Sequence, residues 1–532
     1  MTRLKDGPYV LALDHGTSGC KVALVSGKGK VVDFEFASTG IVFLPGGGAE
    51  QDPEEWWRAF VQASKKLLSR GAVPPSAIAA VAVSSTLSST VAVDRDGRHL
   101  MNSLTWLDSR GAPLVRKFMR GIINVEGYGL TRVLSWIRKT GGGPQLSGKD
   151  DIAHVLYTKE YLPEVYDRTH KFLGSKDYFN LRLTGEFASS YDAMSLFWVS
   201  DIRDSKNIRY DEGLIRKLGI DREKLPEMRR SIDIVGTILP GAAMELGLPT
   251  GVRVITGSPD HQSALVGSGA VGDFQGHLYI GTSSWVECLV PFKKTDIFHS
   301  IASLPSSVPG RYQCINEQDV AGGVLAFLKD NILYYKNIIQ SGNSGKDPYE
   351  EMNEIARRVP AGSNGLIIAP WLHGERSPVD SNTLRAGVFN VSITTNVEDI
   401  IRACYEGVAY NTRWNMQYVE KFTGRRFDTL NFIGGGAKSD VWCRIFADVL
   451  DRTILQVDDP MQANARGAAF IALVGLGEIG FGDIPKLVGH SAVYEPDGKN
   501  RELYDNYFSE FLNIYRNNQA MYGRLNRLQN IT

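Results

Sequence analysis

A chain of 532 residues that is 43% apolar can bury large cores, and its length suggests roughly two to four domains. Fifty-nine basic side chains balance fifty-nine acidic ones, so no net field draws the chain to nucleic acid or an anionic membrane, and neither partner is expected. Five scattered cysteines without a CxxC speak against a disulfide framework or thiolate metal site. With no signal-like apolar run at the start and none long enough to span a bilayer, a cytoplasmic protein is expected.

In chain order, the first elements are strand-like runs at 9–13 and 22–25 around the turn "DHGTSGCK". "DPEEWWRAFVQASKKLL" has helical spacing, with Trp56 and Trp57 read as core, and "IAAVAVSS" reads as a buried strand. "GPQLSGKD" nearly matches a phosphate-binding P-loop, but Asp150 stands where the metal-binding hydroxyl is needed and no strand precedes it, so it is set aside. "VRVITGS" is a strand leading to Asp260 and His261, and "GSGAVG" behind them trails a helix, which makes its match to GxGxxG accidental. "GHLYIGTSSWVECLVP" then echoes the opening turn, placing Gly-Thr-Ser between two β-rich runs. "GLIIAPW" and "TLNFIGGG" read as strands, "VEDIIRACYEGVAYNTRWNMQYVEKF" as a helix, and the tail as a helix packing Leu503, Tyr507, Phe511, Ile514 and Tyr515. Alternating strands and helices indicate an α/β protein of two similar halves, 1–253 and 254–532, with the break near 249–257.

Four segments can carry chemistry. In the opening turn, Gly16 and Gly19 let backbone N–H groups approach an anion, Thr17 and Ser18 add hydroxyls, and Lys21 adds a charge. Asp14, ending a buried strand, needs a cation or partner, and a magnesium ion or its water shell suits it. The plainer alternative is a tight hairpin capping its own backbone. The second Gly-Thr turn, Gly281 and Thr282, favours two turns facing one polyphosphate. Asp260 fits either a helix N-cap or a general base for a substrate hydroxyl. Gly434, Gly435 and Gly436 allow a flat base or ribose against backbone, although a strand-to-helix turn also uses glycine.

These sites, in this order, resemble the FGGY family of carbohydrate kinases. "AEQDPEEWW", "SLTWLDSRG", "LGSKDYFNLRLTGE", "GLIIAPWLHGERSPVDSNTLRAGVFNVS" and "GGGAKSDVWCRIFADVLDR" extend the likeness over most of the chain. The GERSP and KDY segments are similar to the xylulokinase branch. The resemblance implies two actin-like, ribonuclease-H-like domains flanking a cleft for ATP, magnesium and a sugar, and often a homodimer. It implies Asp14 near the metal through water, and Gly16, Thr17, Ser18 and Lys21 on the phosphates. It further implies Gly281, Thr282 and Ser283 as the second hairpin, and Gly434, Gly435, Gly436, Ala437 and Ser439 at the adenosine. Asp260 matches the catalytic base and Asp108 a sugar-contacting carboxylate.

Departures from that pattern concern the acceptor. "SSTLSST" replaces the branch's Gln-Met-His stretch, so Thr86, Ser88 and His261 become the candidate sugar contacts, with Gln262 beside them. His261 follows the base where the branch has an amide, and "QANARGAA" lacks the family's acidic residue. The expected reaction moves the γ-phosphate of ATP to a ketopentose such as xylulose. The rival acceptors are ribulose, a polyol such as glycerol or erythritol, and a sugar acid, and the rival class is a non-transferring actin-like ATPase.

Overall fold

The computed structural model describes residues 7–333 and 347–526. In the first half, strands β1 (Tyr9–Gly16), β2 (Gly19–Val25) and β3 (Val31–Ser38) form an antiparallel meander. Helix α1 (Pro53–Ser69) follows, then β4 (Ile78–Ser85), α2 (Ser175–Thr184), β5 (Ile234–Thr237) and β6 (Arg253–Pro259). The sheet order is β5-β6-β4-β1-β2-β3, with β4 parallel to both β1 and β6. Parallel strands buried on both faces must be apolar throughout, which is why "IAAVAVSS" reads as a continuous run.

α1 starts where it does because the Asp52 side chain accepts the Glu54 amide at 2.8 Å and Pro53 fills the first turn. Trp56, Phe60, Ala63 and Leu67 line its buried face, each large side chain contributing about 1.5–3 kcal/mol on burial. Trp56 and Trp57 are core, as expected.

Helix α3 (Asp260–Gly267) leads from β6 into the second half. There β7 (Gly276–Ile280) and β8 (Ser284–Val290) form a hairpin, followed by β9 (Thr295–Asp296), β10 (Ile301–Pro305) and β11 (Tyr312–Ile315). After α4 (Val397–Thr423) come β12 (Thr429–Ile433), α5 (Asp440–Leu450), β13 (Thr453–Val457), α6 (Ala463–Gly475), β14 (His490–Tyr494) and α7 (Arg501–Asn526). The order is β9-β10-β11-β8-β7-β12-β13-β14, with β7, β12 and β13 parallel. Both sheets therefore share one plan: a hairpin whose first strand is flanked by two parallel strands and an antiparallel edge. The echo in the sequence is a repeat in the fold.

The strand that begins at the expected break, β6, hydrogen-bonds inside the first sheet, so a division at 253/254 runs through that strand's first residues. The halves share a core: Val10, Ala12, Ala82 and Ile255 of the first pack with Leu265, Ile433, Ala468, Phe470 and Ile471. α7 buries Tyr504, Phe508 and Phe511, with Tyr507, Ile514 and Tyr515 packed alongside, so the tail is a packing helix. No helix among the described residues is long and apolar enough to cross a membrane.

Candidate active site

The β1–β2 register pairs Asp14 with Lys21 and Gly16 with Gly19, leaving Thr17 and Ser18 as a two-residue loop. Gly16 has open space where a Cβ would stand, and Ser18 is exposed. The Trp106 indole N–H donates to Thr17 Oγ1 at 2.9 Å, and Gln51 Nε2 donates to the Thr17 carbonyl at 2.8 Å, so the loop is held from behind. Lys21 Nζ lies 3.5 Å from Asp14 Oδ2 and donates to the Met461 carbonyl at 2.9 Å. Asn464 Nδ2 donates to Asp14 Oδ1 at 3.4 Å. The first turn is thus tied to the head of α6, a contact no local reading of the sequence contains.

The second turn, Gly281 to Ser283, closes with the Gly281 amide donating to the Ser283 carbonyl at 2.9 Å. Backbone amides of Ala321, Gly322 and Gly323 donate into the carbonyls of Gly281 and Thr282 at 2.8–3.2 Å, leaving the Thr282 side chain exposed. The third turn follows β12. Gly434 adopts φ +88°, and a Cβ there would stand 2.5 Å from the Ile280 carbonyl, so only glycine fits. Its amide donates to the Pro460 carbonyl at 3.0 Å. Gly435 is exposed with nothing within 4 Å of where a Cβ would stand, whereas Gly436 and Ala437 are buried.

One chain of contacts therefore joins all three turns: Lys21 to Met461, Pro460 to Gly434, Gly434 to Ile280, and Ile280 to Gly281. Ser439 plays a different part from the one expected. It is buried, accepts the Trp442 amide at 3.2 Å as N-cap of α5, and donates to Asn353 Oδ1 at 2.6 Å.

Asp260 heads α3, and its Oδ1 accepts the His261 amide at 2.9 Å. Burial pushes its carboxyl up to about 6; the His261 charge pulls it down, while Asp14 and Glu317 push it further up. His261 turns inward, with Nδ1 2.9 Å from Glu287 Oε1 on β8. The Gln262 amide beside it is buried with neither end hydrogen-bonded to protein.

On the acceptor side, Thr86 is half-buried and 3.2 Å from Ser89 Oγ, while Ser88 is buried and donates to the Lys149 carbonyl at 2.8 Å. Asp108 differs from expectation. It is fully buried, and its oxygens accept the Ala49 amide at 2.9 Å, the Arg110 amide at 3.0 Å and the Arg110 guanidinium at 2.6 Å. No oxygen is left for a sugar, and Asp108 instead holds Arg110, which also bonds Glu50 at 2.6 Å and lies over Tyr157.

Residues outside the expected set complete the surroundings. Arg376 pairs with Glu317 and, at 3.0 Å, with Asp319. Lys149 stands near all three and forms no ion pair among the described residues; burial, then the neighbouring Arg376 charge, lowers its ammonium, with Asp319 and Glu317 opposing. Glu375 next to Arg376 is buried, accepts the Asp319 amide at 3.0 Å, and is pushed up to about 8 by burial.

The arrangement is matched by two family models. The N-terminal domain of the FGGY family of carbohydrate kinases matches residues 9–267, and the C-terminal domain matches 277–476. A xylulose kinase of Bacillus subtilis (strain 168) is 25% identical, covering 95% of this chain and 96% of that one. A gluconokinase of the same organism is 24% identical, covering 97% of each. The crystal structure of a ligand-bound xylulose kinase from Lactobacillus acidophilus superposes with a TM-score of 0.84 at 24% identity, covering 97% of this chain and 99% of that chain. The chain belongs to the FGGY family of carbohydrate kinases and is a phosphotransferase of the actin-like, two-domain fold.

Proposed function

We propose that this kinase transfers the γ-phosphate of ATP to a hydroxyl of a ketopentose such as xylulose, with Asp260 as general base. The carrying observation is Asp260 itself, a carboxylate at a helix head beside two linked glycine turns, with its proton affinity raised toward the working range of a base. The acceptor oxygen attacks the γ-phosphorus while its proton passes to Asp260; the new O–P bond forms as the bond to ADP breaks. Little covalent work falls to the protein in such a transfer, so positioning dominates. Gly16, Thr17, Ser18 and Lys21 bind the phosphates from one side, Gly281, Thr282 and Ser283 from the other. The exposed Gly435 platform takes the adenosine, with Gly434, Gly436 and Ala437 shaping it and Ser439 holding the helix behind.

Among the described residues no cluster of three or more His, Cys, Asp or Glu forms a metal cage. That suits a magnesium ion carried in on the phosphates, with Asp14 reaching its water shell, better than a resident site. When bound, the ion neutralises developing phosphate charge. Thr86 and the ring of Lys149, Glu317 and Arg376 line the acceptor side, His261 stands behind Asp260 and does not reach the sugar, and Ser88 and Asp108 act through Lys149 and Arg110.

A sugar acid is the second reading, favoured by the Lys149 ammonium, which forms no ion pair among the described residues, and by the gluconokinase relatives. Against it, Glu317 and Asp319 already neutralise Arg376. ADP release with magnesium and ATP, measured over ketopentoses, hexuloses, polyols and sugar acids, decides between them. Xylulose should stimulate turnover most, and Asp260→Asn should lose about 10²–10⁴-fold while still binding ATP. Full turnover by that variant would end the assignment of the base, and a stronger response to gluconate-type acids would end the ketopentose reading.

A further inference from the structure

His261 does not behave as a free side chain at the cleft wall. Its Nδ1 meets Glu287 Oε1 at 2.9 Å, and Gln313 Nε2 donates both to Glu287 Oε2 at 2.6 Å and to the His261 carbonyl at 3.1 Å. Backbone and ring are thereby held by one buried network. The ring stacks on Trp285 at 4.2 Å, and Trp285 stacks in turn on Tyr279 at 3.8 Å. The Trp285 indole N–H donates to His277 Nε2 at 3.0 Å, and His277 Nδ1 lies 3.2 Å from the Glu287 carbonyl. His277 is therefore the neutral tautomer that donates from Nδ1, and it fixes the plane of the stack. At the far end the Tyr279 hydroxyl presses against Gly281, where any Cβ would overlap it. The three rings thus run from the second phosphate turn to the residue that follows the base.

We propose that His261 is a positioning residue for phosphoryl transfer, an imidazolium clamped by Glu287 that sets the Asp260 carboxylate at the head of α3 and holds a positive charge beside it. This rests on the reading of Asp260 as base.

The charge follows from the surroundings of Glu287. It is fully buried in mid-strand, and His261 is its only ion-pair partner among the described residues. Burial raises the Glu287 carboxyl, and the His261 charge opposes that rise together with the hydrogen bonds from His261, Gln313 and, at 3.4 Å, the Asn316 amide. A carboxylate that accepts these three donors beside one counter-charge is held ionised, so the proton belongs on His261. The groups facing His261 are Glu287 on β8, Asp260 on its own helix and Glu317 after β11, with His277 on β7 behind. Burial alone works against the imidazolium, but the three carboxylates outweigh it and lift His261 to about 9. Asp260 faces Asp14 on β1 and Glu317, both of which raise it, and the His261 charge is the nearby opposing influence. The His261 amide also binds Asp260 Oδ1 directly, so moving the ring moves the base.

The test uses His261→Asn, Glu287→Gln and the charge-retaining Glu287→Asp in the full chain. The readouts are the pH profile of kcat/KM for acceptor phosphorylation and an NMR titration of the His261 ring. In wild type the ring should stay charged through pH 8, and in Glu287→Gln it should titrate at least one unit lower. The acid limb of kcat/KM should move up by about one unit in His261→Asn and Glu287→Gln, a ~10-fold loss well below pH 6 that is about fivefold at pH 6 and vanishes by pH 9. Glu287→Asp should keep the wild-type limb, and the KM for ATP should be unchanged throughout. A role in packing alone would lower the rate equally at every pH, and that result, or a wild-type ring titrating near 6.5, overturns the proposal. If Glu287→Gln does not fold, His261→Asn carries the same kinetic readout. Were no acceptor to stimulate wild-type turnover, the kinase acceptor reading would fail separately, and the ring titration would still decide whether the clamp holds a charge.

Discussion

Gly434 and Gly435 are neighbours in one loop with opposite physical demands, and the difference separates folding from binding. Gly434 sits at φ +88° against the Ile280 carbonyl, so Gly434→Ala combines backbone strain with overlap and should lower the unfolding midpoint as well as ATP binding. Gly435 has nothing within 4 Å of a new Cβ. Gly435→Ala should leave the thermal midpoint within a degree or two and raise the KM for ATP; an unchanged KM would remove adenosine from that platform. A second residue-scale effect lies away from the cleft. Burial pushes Asp151 up to about 7, with the Thr90 hydroxyl bond at 2.7 Å opposing the rise. The unfolded carboxyl ionises near its ordinary 3.8, so between that value and about 7 only the folded state holds the proton, and stability falls as pH rises through this window. Asp151→Asn keeps an acceptor for Thr90 and cannot ionise. Its stability advantage in urea should widen from pH 5 to 7 and then level, and a gap independent of pH would contradict the assignment. Neither Asp151 nor the buried Asp108–Arg110 brace was legible in the sequence. Motif matching finds an aspartate but not the guanidinium, two residues on, that turns back and occupies it.

Helices α3 and α6 cross where Gly267 and Gly467 face each other's backbone, and a Cβ on either would overlap the Ala463 or Ser263 carbonyl. Neither helix has a polar face to trade, because the crossing and the sheets enclose both, and α6 is buried from Ala465 through Leu473. Gly467→Ala should therefore cost about 1–3 kcal/mol as overpacking, read as a lower urea midpoint. Gly241→Ala is the control, a helical position with nothing nearby, and should be neutral or slightly stabilising. The same geometry explains which elements were legible. Helices α1 and α4 carry caps and a 3.6-residue apolar stripe, so sequence alone marks them. The strands "IAAVAVSS", "VRVITGS" and "TLNFIGGG" stand out as short apolar runs because parallel sheets bury both faces. α6 lacks any periodic signal, and "QANARGAA" showed only as a departure from the family pattern. That segment supplies Asn464 to Asp14, and the carbonyl just ahead of it, Met461, accepts from Lys21.

At the scale of the whole molecule, the repeated hairpin gave the two-half architecture, while the position of the divide was hidden because β6 looks like the start of something new and is the end of the first sheet. The halves are joined by a shared core and by hydrogen bonds that include Lys21 to the Met461 carbonyl, Asn464 to Asp14 and Tyr312 to the Ile202 carbonyl, and on the proposed reading Lys21 also binds phosphate. This yields a test of the phosphate assignment that needs no acceptor. A ligand bound only to the folded state stabilises it by about 2.7 kcal/mol at a hundred times its Kd, so thermal shifts report nucleotide affinity. Lys21→Ala removes a charge-assisted donor worth about 1.5–3 kcal/mol to a phosphate, and should weaken ATP and ADP by roughly 10–100-fold. On the proposed reading adenosine meets the Gly434 to Ala437 loop and not Lys21, so its smaller shift should survive the substitution. If the adenosine shift falls in step with that of ATP, Lys21 acts by holding the halves together through Met461. If the ATP shift alone collapses, the first turn grips the phosphates, and the two Gly-Thr turns form opposite sides of one site.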